Sequence, residues 1–140
     1  MADTTKISNA AATAEANAFA DLLNNGYLRI YDSTGGTGQP ATVDTAIGSQ
    51  VLLAELRFHT PNSESSISNG VITFDAITSD TDANATGTAT WFRAFSSDGT
   101  TAIWDGSVNT AGATLNLNST AIQIHAQVDV TSATHTINKG

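Results

Sequence analysis

The spacing of apolar residues changes its period at Gly26, and that change limits what the chain can become. Before it, "SNAAATAEANAFADLLNNG" (8–26) is dominated by alanine, the strongest helix former. Ser8 suits an N-cap, and Asn24, Asn25 and Gly26 suit a stop, with Gly26 in the left-handed closing position. The pattern predicts one helix over residues 9–25. Ala11, Ala14, Ala18 and Leu22 recur at helical spacing, with Phe19 and Leu23 beside them. Such small side chains allow close packing against a sheet or another subunit but bury little apolar area.

Beyond Gly26 the pattern alternates. "YLRIY" (27–31) puts Leu28 and Ile30 on one face, and "VLLAELRF" (51–58) puts Leu52, Ala54, Leu56 and Phe58 inward. "VITFDAI" (71–77) and "IQIHAQVDV" (122–130) read as further strands, the latter with Ile122, Ile124, Ala126, Val128 and Val130 on one face. "THTI" (134–137) reads as a short last strand. "DSTGGTGQP" (32–40), "HTPNSESSISNG" (59–70) and "TSDTDANATG" (78–87) read as connections. Short strands with frequent turn signals and a single helix predict a mainly β fold. The expected architecture is an antiparallel β-sandwich or barrel, jelly-roll-like, with one N-terminal α-helix. A chain of 140 residues suits one domain. Residues 1–8 read as a flexible arm and 9–140 as a single β domain.

"TATWFRAFSSDGTTAIWDGSV" (88–108) carries both tryptophans and two Asp-Gly pairs. It predicts a central hairpin with Asp98-Gly99 in its turn and a second turn at Asp105-Gly106. Trp91, Arg93 and Phe95 share one strand face, and Thr90, Phe92 and Ala94 share the other. Large residues on both faces require cover on both sides, by the domain itself or by a partner. Two readings of the tryptophans stand: core residues, or an exposed platform for sugar or protein. Arg29, Arg57 and Arg93 each sit between apolar neighbours. They are either three unrelated arginines or one cross-strand ladder with Glu55 and Asp75.

Chemistry is sparse. There is no cysteine, so disulfides and thiolate chemistry are excluded. Asp80, Asp82 and Asn84 echo the start of a calcium loop, but Ala85 and Trp91 stand where glycine and glutamate are needed. His59, His125 and His135 lack a zinc spacing. No nucleophile elbow, zinc-protease motif or phosphate loop occurs, and Gly35-Gly36-Thr37-Gly38 opens no helix. The expectation is a protein that is not an enzyme and has no cofactor or metal. Net charge is −8, with only Lys6, Arg29, Arg57, Arg93 and Lys139 basic. Scattered cations argue against nucleic acid and against an anionic membrane surface. No secretory signal or spanning segment is apparent. Only 13% of residues are charged, against about a quarter in ordinary domains. Thr, Ser, Asn, Ala and Gly take their place, and short side chains lose little entropy when covered by a neighbour.

"ANAFADLLNNGYLRIYDSTGG", "QPATVDTAI", "LLAELRF", "ATWFRAFSSDGTTAIWDGSV" and "LNLNST" resemble small virion proteins of tailed double-stranded DNA bacteriophages, over residues 8–120. Within that setting the chain resembles a capsid decoration, or cement, protein. The resemblance implies a virion location on the outer capsid surface, the major capsid protein as partner, and a homo-oligomer, trimer or dimer. It carries over no contact residues. The residues themselves nominate Ala2, Asp3, Thr4, Thr5, Lys6 and Ile7 of the arm, with Trp91, Arg93 and Trp104, as partner contacts. The alternative is a tail or fibre component, or carbohydrate-binding module, that recognises a host glycan.

Overall fold

A computed structural model of the protein describes residues 4–33 and 38–140. Ala2, Asp3 and the Gly35-Gly36-Thr37 cluster, all singled out above, lie outside the described residues. The expected class is the observed one: mainly β, with one N-terminal helix.

The helix α1 (Asn9–Leu22) starts where its cap predicts, the Ser8 hydroxyl accepting the Ala11 N–H at 3.0 Å. It ends earlier than expected, and Asn25, not Gly26, takes the left-handed conformation, with φ 55°. Gly26 is needed for space: a Cβ there would stand 2.3 Å from the Phe95 carbonyl oxygen. The buried stripe also differs from the expected one. Ala12, Ala16, Ala20 and Leu23 are fully buried, whereas Leu22 is 53% exposed. Alanine occupies several helix faces, so periodicity could not choose among them. Packing does: a Cβ on Gly70 would lie 2.7 Å from the Ala12 Cβ.

Ten strands follow: β1 (Tyr27–Asp32), β2 (Val51–Arg57), β3 (Glu64–Ser68), β4 (Val71–Phe74), β5 (Gly87–Thr88), β6 (Trp91–Phe95), β7 (Ala102–Asn109), β8 (Leu115–Leu117), β9 (Ala121–Ile122) and β10 (Val130–Thr136). Eight form one sheet in the order β2-β1-β6-β7-β8-β10-β4-β3, and β5 pairs with β9. The large sheet curls into a half-barrel. All its pairings are antiparallel except β7 with β8.

The hairpin of β6 and β7 forms as expected, with Gly99 at φ 73° in its turn. Asp105-Gly106 is not a turn; it lies inside β7, opposite Arg93 and Phe92. Glycine stands there because a Cβ would come within 2.5 Å of the Phe92 ring. Residues 64–68, expected within a loop, form β3, joined to β4 by Asn69 and Gly70 at φ 52° and 82°. Two left-handed residues in a row give the twist a two-residue hairpin needs. A bulge between Ile30 and Tyr31 turns Leu53 inward beside Ala54, and leaves Leu52 paired with Tyr31 on the other face.

The expected strand 122–130 is broken. His125 takes φ 70°, Ile124 is half exposed, and only Ile122 and Val128 of its apolar face are buried. The segment instead caps an edge. Residues 78–84 run along β2: Arg57 and Thr78 exchange backbone bonds, and the Asn84 N–H reaches the Leu53 carbonyl at 2.7 Å. Asp80 and Val128 then pair on the far side.

The inner face of the curl holds Leu28, Ile30, Leu56, Ile72, Phe92, Trp104 and Leu115, roofed by α1. Trp104 is its hub, with Phe92, Phe74, Phe19 and His135 at ring distances of 4.8, 5.4, 5.6 and 5.1 Å.

Candidate functional site

The inner face is filled by the core, and the outer face of the sheet divides into two unlike halves.

On β2, β1, β6 and β7 it is charged and aromatic. Register places Glu55 opposite Arg29, Arg29 opposite Arg93, and Arg93 opposite Asp105. The expected cross-strand ladder therefore exists, but its second acid is Asp105. Asp75 lies instead 3.7 Å from His59, and Arg57 bonds the Asn25 carbonyl and side chain beneath a stacked Tyr27. Arg29 Nε meets Glu55 at 2.8 Å, and the Arg29 guanidinium lies over the Phe95 ring at 4.5 Å. Arg93 forms a two-bond fork with Asp105, Nε and Nη2 donating at 2.7 and 2.8 Å. Both side chains are at most 4% exposed. The Asp105 hydrogen bonds hold the Arg93 pKa above its ordinary value, so the guanidinium stays charged.

The cover comes from the chain itself. Arg93 also donates to the carbonyls of Thr45 and Thr42 at 2.6 and 3.2 Å. One guanidinium thus ties the connection 38–50 onto the sheet. Gln50 fastens its base, donating to the Gly38 carbonyl at 2.7 Å and accepting the Gly48 N–H at 2.8 Å. Trp91 stacks on Tyr31 at 4.6 Å, and burial raises the Tyr31 pKa. Between the cover and the sheet lies a cavity of 360 Å³, lined by residues 43–47, Arg93, Phe95 and 100–102.

The expected contact residues are placed as follows. Trp91, Arg93 and Trp104 are 1%, 3% and 7% exposed. Neither tryptophan presents an exposed platform to a sugar or to another protein, and Arg93 is exposed only toward the cavity. The cover that both faces of β6 require is supplied by the chain's own core and its own β1–β2 connection. The arm lies elsewhere. Thr4, Thr5 and Lys6 are exposed and Ile7 is half-buried. Its Ile7 N–H donates to the Lys139 carbonyl at 3.0 Å, and Lys139 Nζ donates to Asn9 at 2.8 Å. Residues 5–9 therefore run beside the C-terminus.

The other half, on β3, β4, β10 and β8, is bare and uncharged. Register sets Ser66, Thr73 and Thr134 in one row, and Ser68, Val71 and Thr136 in the next. All six are exposed. Asn116 and Ser132 extend the face, their side chains bonded at 3.0 Å. No sequence motif marked this surface. The signal available was weak: "THT" (134–136) alternates exposed threonine around a half-buried histidine.

The acidic loop is engaged internally. Asp80 accepts the backbone N–H of Glu55 and of Asp82, each at 2.8 Å, and Asp82 meets His125 at 2.6 Å on an exposed surface. Among the described residues no group of three or more His, Asp or Glu could hold a metal ion. Among them, too, no helix is long and apolar enough to cross a membrane.

Comparison with family models, with curated proteins and with solved structures gives no match. The functional reading rests on the chain itself.

Proposed function

We propose that the protein is a structural virion component of a tailed bacteriophage: a capsid decoration protein that binds the outer capsid surface and ties neighbouring major capsid subunits together, as a trimer or dimer. The observation that carries the reading is the bare half of the outer sheet face. It is built on paired strands, lined by Ser66, Ser68, Thr73, Thr134 and Thr136, and free of charge. Covering such a face strands no ion. It orders side chains with little rotamer entropy to lose. The hydroxyls can donate and accept, so they can match the polar groups of a coat subunit.

A protein that binds only the assembled shell stabilises it by mass action, and many copies on a symmetric lattice need only modest affinity each. The test is direct. Purified protein is mixed with expanded capsids lacking it, and occupancy is read by cosedimentation and cryo-electron microscopy. Ordered density on the outer surface, bridging coat subunits, is the expected result. Absence from the shell, or a place in the tail, overturns the reading.

A further inference from the structure

We infer that the cavity beneath residues 43–47 is a binding site for one neutral pyranose ring, either a free sugar or the terminal unit of a glycan. The inference does not depend on the decoration role. The cavity measures 360 Å³, at the small end of the range of about 300–1,000 Å³ usual for ligand sites. Its walls offer two chemistries. Val43 and Ile47, both half-buried, and the buried Phe95 supply an apolar side. Asp44 and Thr100, both exposed, add a carboxylate and a hydroxyl to the lining. On the floor, Arg93 spends its Nε hydrogen, both Nη2 hydrogens and one Nη1 hydrogen on Asp105, Thr42 and Thr45. One Nη1 hydrogen is left over.

An acceptor, a hydroxyl and a donor around an apolar wall match a sugar. Its ring C–H face packs on the wall, and each ring hydroxyl both donates and accepts. Charged ligands fit less well. An anion meets the Asp44 carboxylate, with Asp98 close by, bonded to the lining Thr101 hydroxyl at 2.5 Å. A cation meets, at the floor, an Arg93 N–H that can only donate and offers it no lone pair.

The experiment is a nitrogen-15 NMR titration of the full chain with methyl glycosides of glucose, galactose, mannose and N-acetylglucosamine. At least one should produce saturable shifts at the amides of Ala46, Phe95 and Thr100, with affinity on the order of millimolar. Asp44→Ala and Thr100→Val remove exposed rim groups and should each weaken that binding about tenfold without moving the Tm. Ala46→Trp fills the mouth and should abolish it, while capsid occupancy stays unchanged. Oligosaccharides ending in the responding sugar separate the two sources: shifts at the same amides assign a glycan end, and their loss assigns a free monosaccharide. The inference is overturned if no glycoside gives saturable shifts, if the shifts fall elsewhere, or if glucose 6-phosphate binds more tightly than glucose.

Discussion

At the scale of single residues, Arg93 matters most, because three distant pieces of chain depend on it. It joins β6 to Asp105 of β7 and to the carbonyls of Thr42 and Thr45. Arg93→Ala leaves the Asp105 carboxylate buried and unpaired, which should cost about 3–5 kcal/mol. Replacing both partners, Arg93→Met with Asp105→Leu, strands no charge and should cost far less than either single change. The Thr42 and Thr45 carbonyls can then turn to water, since both residues are exposed. A thermodynamic cycle from denaturant melts measures the coupling; equal losses in the single and double variants would show that Asp105 is not the group that suffers. His135 gives a second residue-level expectation. It stacks on Phe19 at 4.4 Å, and burial holds its pKa below the ordinary value. The unfolded chain then takes up this proton at a higher pH than the native one does. Stability should therefore fall as pH drops through about 6.5, the ordinary histidine value. His135→Phe keeps the stack and should flatten that slope in melts taken about one pH unit either side of that ordinary value. Little of this was readable beforehand. "FRA" marked Arg93 as unusual, but its acid was hidden because Asp105-Gly106 carries the local signature of a turn. Only the register shows Gly106 making room for the Phe92 ring.

At the scale of elements, the helix and the β3–β4 hairpin meet where neither has a side chain to spare. Gly70 sits at φ 82° against Ala12. Gly70→Ala adds left-handed strain of about 1–2 kcal/mol and pushes a methyl into the helix, an overpacking of about 1–3 kcal/mol. The expected outcome is a lower Tm, with faster amide exchange along α1 than along β6 and β7. Uniform loss of protection would mean that the helix does not open separately. This seam explains what the sequence could reveal. Ser8 and the shift to alternation located α1 and β1, because capping and periodicity are local. The choice of alanine face was invisible, because it is set by Gly70, far along the chain. β3 was missed because an edge strand of serines has neither the apolar content nor the alternation that marks one. Residues 122–130 were overread for the opposite reason. Their alternation is clean, but His125 turns left-handed where the segment docks on Ala83.

At the scale of the whole molecule, the outer face of one sheet carries two surfaces with different fates. The half on β2, β1, β6 and β7 is rich in charge and rings, and residues 38–50 cover it around Arg93. The half on β4 and β10 is hydroxylic and left open, and the proposed docking role belongs there. Lysine placed on each half should separate stability from assembly. Thr73→Lys with Thr134→Lys puts two adjacent cations in the Ser66–Thr73–Thr134 row, both on exposed positions. Like charges facing each other across paired strands repel, at a cost of roughly 0.2–1 kcal/mol, so the isolated protein should melt within a few degrees of wild type. Capsid occupancy should fall sharply, because each ammonium must lose its water or find an unplanned partner when the face is covered. The matching control, Thr100→Lys, adds a cation at an exposed site on the covered half and should leave occupancy unchanged. If the Thr73 and Thr134 variant decorates capsids as well as wild type, the bare face is not the docking surface. The exposed arm residues Thr4, Thr5 and Lys6 would then be the next place to put the same charge.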